Sequence, residues 1–254
     1  MKTLSILGVL GALAISFSLQ AGELSKADTK AVATIRQNIE QRYPQVIIVS
    51  VQPSKQLPGL YEVFTGDTLS YSNATGDLVL VGQLIETQSQ KNMTVARLDE
   101  LTTIDFSKLP LDRAIKTVKG NGSRQIAVFA DPECPYCQQL EKEFATLNDV
   151  TIYTFLYPIA SLHPDAPARA HALWCTEDRS AAWNDWMVNR KAPAAKTCEG
   201  DPIDELQKLG EKLFINSTPT LFSSSGKRFA GMMPAPKLDQ FIDGKTADPK
   251  TARN

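Results

Sequence analysis

The chain is poor in the residues that usually announce chemistry: 4 cysteines and 2 histidines among 254 residues. It also lacks an excess of either charge, with 27 lysines and arginines set against 28 aspartates and glutamates. That balance leaves no electrostatic footprint for nucleic acid, and no acidic or basic tail names another partner. There are no internal repeats and no low-complexity tracts. Past the N-terminus, no run is long and apolar enough to span a membrane. What remains is 43% hydrophobic and 22% charged, the composition of one large globular domain or two small ones.

The one long apolar run is LSILGVLGALAISFSL, preceded by Lys2 and closed by SLQAGE. A basic start, an apolar stretch and a small residue at its end predict a signal peptide over residues 1–21, cleaved after Ala21. The run is short and interrupted by glycine, and polar helix follows at once, which argues against an anchor. No cysteine follows it, so there is no lipoprotein attachment site. The expectation is an exported, soluble mature protein.

Export gives the scarce cysteines a meaning. An even count in an oxidising compartment favours disulfide chemistry over metal ligation. A four-thiolate zinc site would show a second close pair, whereas Cys175 and Cys198 lie far apart. His171 and Cys175 share the i, i+4 spacing of a metal pair but lack a further ligand, so surface or capping roles are favoured for the histidines. Trp174, Trp183 and Trp186 read as core or rim of a helical segment.

SKADTKAVATIRQNIEQRYP carries Val32, Ile35 and Ile39 at helical spacing, with Ser25 or Asp28 as caps and Pro44 as the stop. VIIVSVQ, LYEVFT, TLSYSN and DLVLVGQLIE read as successive strands, with ATGD turning the last hairpin. This α+β unit of roughly 65 residues buries little core alone, which makes it a candidate for completing that core or a sheet edge with a second chain. Residues 91–122 read as a linker helix and a short helix after Pro110, closed by the turn NGS. RQIAVFADP then predicts a buried strand, CPYCQQLEKEFATL a helix and TIYTFLYP a second strand. PDAPARAHALWC through AAWNDWMVN predicts helix, LFINSTPTLFSSSGKRFAG a helix end followed by two strands, and KLDQFIDG a closing helix.

FADPECPYC is the informative stretch. Two cysteines two residues apart suit a metal, a structural disulfide or a working dithiol. A strand ending at Asp131-Pro132 would deliver Cys134 to a helix start, with Pro135 at the first helical position, where its missing N–H costs nothing. Cys134 is then the N-cap, facing free backbone N–H groups and the positive end of the helix dipole, both of which favour thiolate. Cys137, one turn in, is more shielded. Asp131 and Glu133 oppose this with negative charge, and Gln138 and Gln139 offer no cation. The helix terminus is nearer, so a depressed Cys134 pKa is expected.

FADPECPYC, a second strand, a helical stretch with LWC and then STPT before a strand together resemble the bacterial periplasmic disulfide isomerases of the DsbC/DsbG family. The resemblance covers essentially the whole mature chain. It implies a thioredoxin-like catalytic domain over residues 123–254, with a helical insertion at about 162–210. A linker helix over 91–122 and a cystatin-like α+β dimerisation domain over 22–90 precede it, so the chain is α/β in its catalytic part and α+β overall. The resemblance further implies Cys134 and Cys137 as the redox pair around Pro135 and Tyr136, Thr218 and a cis Pro219 facing them, and a structural disulfide between Cys175 and Cys198. It implies no cofactor and no metal. The implied partners are a second copy, wrongly oxidised exported proteins and a membrane reductase of the DsbD type. Pro135 departs from the glycine common in DsbC-type members and is found in DsbG-like ones. A reductase of sulfenylated cysteines and a dimeric holdase are the alternatives.

Overall fold

The computed structural model describes residues 24–194 and 197–244, so the expected signal peptide lies outside the described residues. Ser25 caps helix α1 (Lys26–Arg42) by accepting the Asp28 N–H at 3.1 Å. One face of α1 carries Ala31, Ile35 and Ile39 into a small core with Ile48, Val51, Tyr61 and Val63. Those last residues belong to, or lead into, an antiparallel meander of β1 (Ser50–Pro53), β2 (Tyr61–Phe64), β3 (Leu69–Ser72) and β4 (Val79–Leu80). Two of the four expected strands are shorter than their apolar runs. Before Ser50 the chain only runs beside β2, through the bond from Val49 N–H to the Phe64 carbonyl. β4 pairs with β3 over two residues, and among the described residues no strand lies on its outer side. Leu78, Val79, Leu80 and Val81 there stay 69%, 44%, 56% and 76% exposed, an unusual concentration of apolar surface on a sheet edge.

Asn92 caps helix α2 (Met93–Thr102) through its bond to Val95 N–H. Arg97 on α2 reaches the buried Glu62 at 2.9 Å, and Thr94 meets the Tyr71 hydroxyl at 2.8 Å, so this helix is tied to the first sheet. The tip between β2 and β3 reaches the other way. Asp67 accepts from the Asn216 amide at 2.6 Å and the Gly66 carbonyl from Arg228 at 3.3 Å.

The helical reading of the stretch after Pro110 needs correction. A single 3-10 turn (Leu111–Arg113) is followed by strand β5 (Ile115–Lys119). In IKTVK burial falls at Ile115 and is relieved at Lys116 and Val118, a period of two rather than 3.6. The segment gains a full antiparallel ladder with β7 (Val150–Leu156), from Ile115↔Thr154 to Lys119↔Val150. Its β-branched Ile115, Thr117 and Val118 suit a strand, and the pairing with β7 agrees with that local pattern.

The second sheet has the order β5-β7-β6-β8-β9, built with β6 (Arg124–Ala130), β7 (Val150–Leu156), β8 (Thr220–Ser223) and β9 (Arg228–Ala230). β6 and β7 are parallel; the other pairs are antiparallel. The two central strands are buried on both faces. Ile126, Val128 and Ala130 point to one side, toward α3 (Pro135–Thr146), α4 (Ala166–Trp174), α5 (Arg179–Asn189) and α7 (Ala235–Ile242). Ala127 and Phe129 point to the other, where Phe106, Leu109, Ile215 and Leu206 of α6 (Ile203–Lys212) pack. Cys175, at the C-terminus of α4, is bonded to Cys198, with Cα atoms 5.5 Å apart. Trp174, Trp183 and Trp186 are buried in the core that α3 shares with the inserted helices. No helix among the described residues is long and apolar enough to cross a membrane.

Candidate active site

β6 ends at Ala130, and the next four residues form a turn that Asp131 organises from inside. Its carboxylate, fully buried, accepts the Glu133 N–H at 2.8 Å and the Ile159 N–H at 2.7 Å, and meets His163 Nδ1 at 3.0 Å. Its carbonyl accepts the Cys134 N–H at 3.1 Å. Asp131 thus ties the end of β6 to the loop after β7, and its carboxylate pushes the His163 pKa up.

Cys134 is the N-cap of α3, with extended backbone (φ −73°, ψ 123°) and Pro135 as the first helical residue. Its thiol lies 3.3 Å from the Thr218 carbonyl. The Cys134 pKa falls to about 5. The largest cause is a hydrogen bond from the Cys137 thiol; the Thr218 side chain and the backbone N–H groups of Cys137 and Tyr136 add to it, while burial opposes it. The helix N–H groups act as near neighbours, without a full capping bond to the sulfur. Cys137 is the converse case. It is 1% exposed, and burial, reinforced by the adjacent Cys134, pushes its pKa well above the ordinary value. One sulfur is a thiolate near neutrality and the other holds its proton.

Pro135 and Tyr136 form an exposed lip beside the nearly covered Cys134 sulfur, Tyr136 being 59% exposed. Opposite, the Thr218–Pro219 peptide is cis. Pro219 leads into β8, which pairs with β6 and β9 from Thr220 onward, while Asn216 and Ser217 before it are exposed. Cys134, Cys137, Thr218 and Pro219 therefore share one site, and Cys175 and Cys198 form a separate bond. His171 Nδ1 meets Asp201 at 2.6 Å beside that bond. Asp201 and the two sulfurs come within 4.8 Å of one another, but sulfurs joined to each other offer no thiolate to a metal.

Several functional neighbours are invisible in the local sequence. The charge of Glu133 is compensated by Arg169 on α4 at 3.2 Å and Arg190 after α5 at 3.3 Å. These cations lie 36 and 57 residues along the chain, beyond any motif spacing. Glu141, one turn past Cys137, is pushed up to about 7 by burial and accepts the Trp183 Nε1–H at 2.8 Å. Its i, i+4 spacing from Cys137 was the available signal.

Comparison with known proteins agrees with this geometry over both units. A family described as a thioredoxin-like domain matches residues 111–245, and one described as the disulfide bond isomerase protein N-terminal domain matches residues 25–95. The chain is 37% identical over 205 residues to a "Probable thiol:disulfide interchange protein DsbC" of Bordetella pertussis, covering 81% of this chain and 72% of the relative. It is 41% identical over 204 residues to the protein of that name in Bordetella avium, covering 80% and 72%. Among solved structures, a disulfide interchange protein from Neisseria gonorrhoeae is 45% identical with a TM-score of 0.52, covering 55% of this chain and all of that one.

Proposed function

Since the chain belongs to the DsbC family of thiol:disulfide interchange proteins, we propose that it is a periplasmic, homodimeric disulfide isomerase that works through Cys134 and Cys137 on wrongly oxidised exported proteins. The observation that carries this reading is the split between two buried sulfurs: an acidic one at the helix start, beside the Pro135–Tyr136 lip, and a deeper one that keeps its proton.

The Cys134 thiolate attacks one sulfur of a client disulfide, forming the Cys134–client bond and releasing the other client sulfur as thiolate. Two exits follow. A client thiolate can attack the client sulfur of the mixed disulfide, which makes a new client bond, returns Cys134 as thiolate and leaves the electron count unchanged. Alternatively, Cys137 loses its proton and attacks Cys134, which oxidises the pair, releases a reduced client and leaves the enzyme to be recharged by a reductase of the DsbD type. Ser217 and Thr218, beside Cys134 and ahead of β8, offer backbone against which an extended client segment can lie.

The working division follows the sheets. Residues 22–90 dimerise, α2 connects, and the catalytic unit with its helical insertion begins at β5, a few residues before the boundary that the NGS turn suggests. The exposed edge from Leu78 to Val81 supports dimerisation, because a second copy placed there both continues the sheet and covers apolar surface.

The test separates the sulfurs. Cys137→Ser, incubated with a scrambled disulfide substrate, accumulates client covalently bound to Cys134 on non-reducing gels and retains part of the isomerisation. Cys134→Ser shows neither trapping nor turnover. Equal trapping by both variants would refute the assignment.

A further inference from the structure

Glu133 immediately precedes the nucleophile, and a bare carboxylate there would oppose the thiolate. It is not bare. Trp186 of α5 donates its Nε1–H to the Pro132 carbonyl at 2.7 Å, which sets the indole edge against the turn that carries Cys134. Two guanidiniums stack on that indole, Arg169 at 4.0 Å and Arg190 at 3.8 Å from the ring centroid. Both guanidiniums reach the same carboxylate, Arg169 at Glu133 Oε1 and Arg190 at Oε2. Arg190 is held in place as the left-handed C-cap of α5, with its N–H bonded to the Trp186 carbonyl at 3.2 Å.

Five residues from three places in the chain therefore converge on one turn. Stacking restrains the arginine side chains before they meet the carboxylate, and guanidinium charge does not titrate in the working range of a thiol. The Arg169 pair is partly shielded, Glu133 being 19% exposed and Arg169 27%, while Arg190 is 44% exposed. The Arg169 pair is accordingly screened less than an ordinary surface pair.

We propose that Arg169, Trp186 and Arg190 of the inserted helices are positioning residues for the nucleophile: they hold the Pro132–Cys134 turn and cancel the charge of Glu133, the residue that immediately precedes Cys134. The inserted helices thereby set the reactivity of a thiol that lies on another element. This inference rests on the reading of Cys134 as the attacking sulfur. The other titratable groups around that sulfur are Cys137 on α3 and the Asp131–His163 pair, which the clamp leaves in place.

The test is a charge cycle on full-length reduced protein, read by the rate of Cys134 alkylation by iodoacetamide against pH, with mass mapping of the adduct. Arg169→Met with Arg190→Met should move the alkylation midpoint up by about one pH unit, a fall of about fivefold in rate near pH 5. Adding Glu133→Gln to that variant should bring the midpoint back toward wild type, because the charge that needed cancelling is gone. Arg190→Met alone, on the more exposed arginine, should give a smaller shift of the same sign and serves if the double variant does not fold. An unmoved midpoint in the arginine variants would overturn the proposal, as would a shift that Glu133→Gln fails to reverse. Alkylation reads Cys134 whether or not the protein isomerises. Failure of the isomerase reading would instead show as absent client trapping with the charge cycle intact.

Discussion

The reduction potential of the Cys134–Cys137 pair should depend on pH in two straight segments that meet near pH 5. Reducing the disulfide takes two electrons and as many protons as the reduced dithiol binds. Cys137, held well above its ordinary pKa, binds one proton across the accessible range. Cys134 binds a second only below about 5. Each bound proton changes the equilibrium constant tenfold per pH unit, which is about 30 mV for a two-electron couple. The potential should therefore fall by about 30 mV per pH unit above the break and about 59 mV below it. The same shift sets a stability difference. A group whose native pKa is depressed stabilises the folded state above that pKa, and the contribution is lost as pH falls through it. For Cys134, lowered from 9.0 to about 5, the stabilisation of the reduced form near pH 7 is on the order of 3 kcal/mol, or on the order of 60 mV toward a more oxidising disulfide. Equilibration with glutathione buffers across roughly pH 4 to 8, followed by acid quench, alkylation and mass analysis, measures the potential directly. A single slope of about 59 mV per unit through neutrality would refute the reasoning, because it would mean that Cys134 is protonated there.

Replacing both Cys175 and Cys198 with serine should lower stability to urea by about 3 kcal/mol, as expected for releasing a loop of this size. Client trapping should survive, because neither sulfur touches Cys134; loss of trapping would give that bond a catalytic role. Leu80→Asp with Val81→Asp should convert a dimer to a monomer in sedimentation, and a wild-type monomer would remove the case for the open edge of β4. Gly210→Ala should destabilise the protein by about 1–3 kcal/mol in urea unfolding, although alanine is the better helix former by about 1 kcal/mol. A methyl group at Gly210 would strike the Tyr157 ring, which cannot swing aside while its hydroxyl donates to the Ile215 carbonyl at 2.9 Å. Equal or greater stability in the alanine variant would show that this packing is looser than the structure has it.

Much of the site was legible in FADPECPYC, because its geometry is local. A buried strand, a turn and a proline at the first helical position are consequences of neighbouring residues, and they suffice to put Cys134 at a helix start and Cys137 one turn inside. The face of α1 and the doubly buried strands β6 and β7 were legible for the same reason. β5 was missed, although Ile115, Thr117 and Val118 are β-branched, because the segment is short and lies between charged stretches that read as helix. The effective charge around Cys134 was not legible. Read locally, Asp131 and Glu133 set two carboxylates against the helix terminus. In the folded protein, Asp131 is consumed by two backbone N–H groups and His163, and Glu133 by two arginines stacked on Trp186. Backbone conformation is decided within a few residues by sterics and local hydrogen bonds. The charge left on Glu133 is decided by its ion-pair partners, and only the tertiary fold brings Arg169 and Arg190, 36 and 57 positions along the chain, to that carboxylate.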